Sequence, residues 1–186
     1  MVPLLYSNIH LATAKQAIAL LRTLLASPKR SRLVKSLIVT IPGPHKLEDP
    51  GILPYHSTLR KLFKFHLESL QHLQLCTSRF MNAMIYLKEC LRGQVSLKTL
   101  SILAHGSWES MSTSYLWSIL LEFPELEEFW FEFHSMDGIK TEPKRRPPQQ
   151  LRLPNMRRLR ISGAVVSDES LEVLRSMCPN LEILEI

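Results

Sequence analysis

An α/β repeat solenoid, with one parallel sheet of about seven strands and helices behind it, is the fold class that this sequence predicts. Three features point there. The pattern apolar-x-x-apolar-x-apolar recurs along the chain, most intervals between its copies carry helical periodicity, and short Pro-containing connections join the two. A short strand followed by a return segment cannot bury its apolar face until another copy stacks on it, so such units come in arrays.

The clearest copies lie at the end of the chain. Met156-x-x-Leu159-x-Ile161 and Leu181-x-x-Leu184-x-Ile186 flank a helix-like segment, and Pro-Asn introduces each. Upstream the pattern returns as Tyr6-x-x-Ile9-x-Leu11, Val34-x-x-Leu37-x-Val39, Leu70-x-x-Leu73-x-Leu75, Leu97-x-x-Leu100-x-Ile102 and Leu126-x-x-Phe129-x-Phe131. The middle residues are 28, 36, 27, 29, 30 and 25 positions apart, mostly in or near the range of leucine-rich repeats. The expectation is therefore a leucine-rich-repeat horseshoe, with a concave parallel sheet and helices on the convex side. Seven strands about 4.8 Å apart would span roughly 29 Å.

The intervals supply the returns. Ala12 to Ala26 places Ala17, Leu20, Leu21, Leu24 and Leu25 on one helical face and stops before Ser27-Pro28. A loop over Ile41 to Pro54 precedes a helix from Ser57 to Phe65, with Ser57 as its N-cap. Helices are expected over Ser78 to Leu91, ended by Gly93, and over Ser112 to Glu122, before Phe123-Pro124. The last, Ser167 to Met177, begins with Asp168 and Glu169, favourable at the positive end of the helix dipole, and buries Leu171, Leu174 and Met177. Between Phe133 and Leu151 periodicity fails, and Pro143, Pro147 and Pro148 would interrupt a helix. Residues 134–150 are expected to form a long, basic, Pro-rich loop within a single domain over 1–186.

Composition narrows the setting. Hydrophobic residues make up 45%, enough for a continuous core, and 12 prolines against 6 glycines suit short, stiff connections. Cys76, Cys90 and Cys178 are too few and too scattered for a disulfide scaffold or a zinc site, and read as reduced, mostly buried thiols. The longest N-terminal apolar stretch, Ala17 to Leu25, is broken by Arg22 and Thr23, and Met1 opens no signal peptide. The expectation is a soluble intracellular protein, cytoplasmic or nuclear, without membrane contact. The net charge of +6 is local: Lys140 to Arg160 holds eight basic residues against Glu142, a balance of +7, while the rest carries −1.

Alternation along a strand points the residues beside each middle position outward. In order these are Asn8 and His10, Ser36 and Ile38, His72 and Gln74, Thr99 and Ser101, Glu128 and Trp130, Arg158 and Arg160, Ile183 and Glu185. Charge and a large aromatic gather near the C-terminal end, so Glu128, Trp130, Glu132, Arg158 and Arg160, with His72, form the candidate partner-binding face. Trp and Arg are enriched at interface hot spots. The competing reading is sheet-surface pairing: stacking aligns Glu128 with Arg158, and one position earlier aligns Lys98, Glu127, Arg157 and Glu182 in alternating sign.

Signals for chemistry are scarce. The chain has no His-Glu-x-x-His pattern, Gly-rich phosphate loop or Gly-x-Ser-x-Gly elbow. His45 with Asp49, Glu68 with His72 and His105 with Glu109 have helical ligand spacing but no third ligand, and Cys90 with His105 reads as core packing. No cofactor, no metal and no catalytic residue is expected, and the chain reads as a non-enzyme. Lys144, Arg145 and Arg146, ahead of Pro147-Pro148, could serve as a nuclear-import signal or a phosphate contact, with a solvated loop the favoured reading. No aromatic residues interleave with them, which argues against a single-stranded nucleic-acid platform, and weak nucleic-acid binding through the basic patch 140–160 stands as the alternative to protein binding.

The phrase Cys178-Pro179-Asn180-Leu181-Glu182-Ile183-Leu184, after SDESLEVLRSM, resembles the cysteine-containing leucine-rich repeats of F-box proteins. Pro3-Leu4-Leu5-Tyr6 through Ile9-His10-Leu11, with Arg32-Leu33-Val34-Lys35-Ser36-Leu37, looks like the region downstream of the F-box in fungal members. The resemblance implies a substrate-recognition module of a cullin-type ubiquitin ligase that holds a protein substrate of unknown identity. It also implies that the chain is a piece of a longer protein, since no F-box is present. Docking to the ligase adaptor would require an F-box upstream. Without one the chain would be a stand-alone interaction scaffold.

Overall fold

The computed structural model describes residues 7–41, 52–64, 67, 69–77, 97–105, 120, 122–134, 152–163 and 168–186. The fold is α/β with a seven-stranded parallel sheet, and within each of two compact units the strands follow chain order. Strands β1 (Asn8–Leu11), β2 (Ser36–Ile41) and β3 (His72–Thr77) belong to a first compact unit, Met1–Leu97. Strands β4 (Thr99–His105), β5 (Glu128–His134), β6 (Arg158–Ser162) and β7 (Ile183–Glu185) belong to a second, Lys98–Ile186.

In the first unit, β1 and β3 flank β2 in parallel, with Ile9 opposite Leu37 and Leu37 opposite Leu73. Leu11, Leu37, Val39, Leu73 and Leu75 are buried, as period-2 alternation demands of a face turned to the core. Helix α1 (Ala14–Ala26) starts at a capping box, in which the Thr13 hydroxyl accepts from the Gln16 N–H at 3.3 Å and the Gln16 amide oxygen accepts from the Thr13 N–H at 3.0 Å. It buries Ala17, Leu20 and Leu24, a narrower stripe than expected: Leu21 is only half-buried, and Leu25 is 61% exposed. Each helical residue turns 100° from the last, so a stripe centred on Leu20 and Leu24 carries Leu25 off the core. A 3₁₀ helix over Pro28–Leu33, which the periodicity did not reveal, continues the chain to β2.

Helix α2 (Ile52–Lys64) corrects the expected start at Ser57. Ser57 lies inside the helix and is exposed, so it is no N-cap; of the expected loop over Ile41 to Pro54, Ile41 is strand, residues 52–54 are helical and residues 42–51 lie outside the described residues. Pro54 is tolerated because the first four N–H groups of a helix have no intrahelical acceptor. The earlier start brings in Tyr55, which is buried and donates its hydroxyl to the carbonyls of Leu11 at 3.1 Å and Thr40 at 2.8 Å. The helix is thereby tied to β1 and β2.

In the second unit, Leu100, Phe129, Leu159 and Leu184 stand opposite one another across β4 to β7. Phe129 and Phe131 are fully buried, each contributing about 1.5–3 kcal/mol on burial. β5 reaches His134, one residue into the expected loop. Helix α3 (Asp168–Met177) buries Leu174 and Met177 and leaves Leu171 half-buried.

Three turns of one kind lead into β5, β6 and β7: Phe123-Pro124-Glu125-Leu126, Leu153-Pro154-Asn155-Met156 and Cys178-Pro179-Asn180-Leu181. In each, the fourth N–H donates to the first carbonyl, at 3.1, 3.2 and 3.2 Å. Proline pre-sets φ at the second position, which makes the turn cheap to form. Side chains link successive turns, Asn180 Nδ2 donating to the Pro154 carbonyl at 2.7 Å and Asn155 Nδ2 to Glu125 Oε2 at 3.3 Å. The Pro-Asn signal is thus a stacking element. The expected helix over Ser78 to Leu91 lies outside the described residues, as do Tyr6 and most of Ser112 to Glu122.

Candidate functional site

The turns deliver β5, β6 and β7 in register with β4, so the outward residues of the second unit fall into rows. Just ahead of the strands, the Lys98 carbonyl accepts from the N–H groups of Glu127 and Glu128, that of Glu127 from Arg157 and Arg158, and that of Arg157 from Glu182 and Ile183. The leading row is therefore Lys98, Glu127, Arg157, Glu182. Strand pairing sets the next two as Thr99, Glu128, Arg158, Ile183 and Ser101, Trp130, Arg160, Glu185.

Ion pairs cross these rows. Lys98 Nζ lies 2.7 Å from Glu127 Oε1, and Arg157 Nη1 lies 3.6 Å from Glu182 Oε1. Arg158 Nη1 reaches back to Glu128 on β5 at 3.2 Å, whereas Arg160 Nε reaches forward to Glu185 on β7 at 3.3 Å. Most of these side chains are about half exposed, so each pair contributes only about 0.2–1 kcal/mol. Both predicted alignments are present, and the charges of the face are largely matched within it.

Two large apolar residues remain open to solvent on the same face. Trp130, on β5, is 41% exposed, and Ile183, on β7, is 44% exposed. Both occupy outward positions because their strand neighbours, Phe129 and Phe131 or Leu184, turn the other way. Ser101 is the exception among outward positions: it is buried, a small side chain in register beside the larger Trp130.

The structure brings Glu128, Trp130, Arg158 and Arg160 together, and Glu132 stands one row further along β5, opposite Ser162. His72 belongs to the first unit, where it is exposed and in register with Ser36. Sequence reasoning placed Ile183 outward but left it, and the turn residue Asn180, out of the candidate set. The outward register of Ile183 and the repeated Pro-Asn were the available signals. Ahead of the strands, a recess of about 640 Å³ is lined by Glu127, Asn155, Arg157, Asn180 and Glu182 with Pro154, Pro179 and Leu181.

Among the described residues, no group of three His, Cys, Asp or Glu side chains could hold a metal ion. No described helix is long and apolar enough to cross a membrane. Cys178 is buried and its thiol is pushed up to about 11 by desolvation, which keeps it protonated and unreactive at neutral pH. Lys144, Arg145 and Arg146 lie outside the described residues, as do His45, Asp49, Glu68, Cys90, Glu109 and the His105 side chain. No family model, curated protein or solved structure matches the chain.

Proposed function

We propose that this chain is a protein-interaction module, the substrate-recognition repeats of an F-box-type ubiquitin ligase subunit, built as a leucine-rich-repeat horseshoe. The outward face of the strands is its concave, partner-binding surface. One observation carries the reading: Trp130 stands 41% exposed on the outward face, in register between Ser101 and Arg160, where sheet pairing gives it no cover. An exposed tryptophan of this kind is a common anchor at protein interfaces. The common register of the apolar-x-x-apolar-x-apolar copies supports the repeat architecture.

The test is a pull-down from cell extract with the product of the longest reading frame that contains this chain. Recovery of a ligase adaptor together with a second protein is expected, and Trp130→Ala should lose the second protein and keep the adaptor. An extended frame without an F-box ends the ligase assignment and leaves an interaction scaffold.

A further inference from the structure

Resting on the protein-interaction reading, the face of the second unit also defines what its partner must look like. Charge is the first constraint. Every charged side chain of the leading row and the two rows behind it has an opposite charge beside it: Lys98 with Glu127, Arg157 with Glu182, Glu128 with Arg158, and Arg160 with Glu185. These rows sum to zero. A carboxylate or ammonium brought by a partner would have to displace a pair already made, exchanging one contact for another while losing its own hydration, with little net gain.

Apolar area is the second constraint. Trp130 and Ile183 lie two strands apart and two residues out of step, about 12 Å from each other at ordinary strand spacing. Between them runs β6, with Arg158 drawn toward β5 and Arg160 drawn toward β7. With the guanidinium heads held to either side, the floor between the two apolar residues is formed by arginine stems, which pack well against apolar groups.

We infer that the partner covers this face with a peptide segment of no net charge carrying two apolar anchors about 12 Å apart, one on Trp130 and one on Ile183. Residues i and i+7 of a helix, about 10.5 Å apart, or i and i+4 of an extended segment, about 13 Å apart, meet that spacing.

The probe is a random peptide display library panned on the whole chain. Expected are near-neutral peptides with two aromatic or aliphatic residues at one of those spacings. Their affinity should change less than about twofold between low and high salt. Trp130→Ala and Ile183→Ser should each weaken binding about tenfold or more while circular dichroism stays unchanged. Acidic or basic peptides whose binding falls steeply with salt, or neutral ones indifferent to both substitutions, overturn the inference and leave the interaction reading standing. A library that yields no binder overturns the inference and leaves the interaction reading to the pull-down. Self-association abolished by Trp130→Ala, seen by sedimentation, assigns the face to a second copy and also overturns it.

Discussion

Tyr55 is a single side chain that joins a helix to two strands. Its hydroxyl donates to carbonyls 44 and 15 residues away while the ring fills the core. Tyr55→Phe keeps the ring and removes the one hydroxyl proton that the two carbonyls share, so urea unfolding should show a loss of about 0.5–1.5 kcal/mol. Cys178 makes a different prediction. Its folded thiol titrates near 11 and its unfolded thiol near 9.0, so above pH 9 the unfolded state loses its proton first. Stability from this residue is intact below pH 9 and falls by up to about 1.4 kcal/mol per pH unit as pH rises toward 11. Cys178→Ala should flatten that part of the pH profile, and alkylation at pH 8 should modify Cys178 only after unfolding. Trp130 belongs to the opposite class: being half exposed, its replacement by Ala should alter stability by no more than about 0.5 kcal/mol.

At the scale of elements, caps and turns decide where each piece starts. Thr13→Ala removes half of the capping box of α1 and should cost about 1 kcal/mol, read from the same unfolding curves. The Pro-Asn turns act between elements as well as within them. Asn180→Ala cuts the 2.7 Å bond to the Pro154 carbonyl and should cost about 0.5–1.5 kcal/mol. Amide exchange at the start of β7 should rise with it. The charged rows are weaker. A double-mutant cycle on Glu128 and Arg158 should return a coupling below about 1 kcal/mol that shrinks as salt is added.

For the molecule as a whole, each strand depends on the parallel neighbours it pairs with inside its own compact unit. Phe129 is fully buried at the middle position shared by Leu100, Leu159 and Leu184. Phe129→Ala should cost about 3–5 kcal/mol. Hydrogen exchange followed by mass spectrometry should show the loss concentrated in β4 to β7, the strands that share the compact unit of Phe129, with β1 to β3 less affected.

Within each unit the sequence alone determined the strands, their register and the outward rows, except that Ser101 is buried and Ile186, the last apolar position of its copy, is 54% exposed. Seven middle positions were readable because alternation with period 2 is a local rule: once Phe129 is inward, Glu128 and Trp130 must be outward. The charge ladder was readable for the same reason. Helix starts were less legible, because Ser57 offers a plausible cap while a proline three residues upstream fits a first turn equally well. The width of a buried stripe also depends on what packs against it, which is why Leu25 lies in solvent. Only the tertiary structure decided which charges find partners, that Arg158 turns back and Arg160 forward, and that Trp130 and Ile183 stay uncovered. Those outcomes depend on side-chain reach across strands roughly 30 residues apart in sequence, which no local pattern encodes.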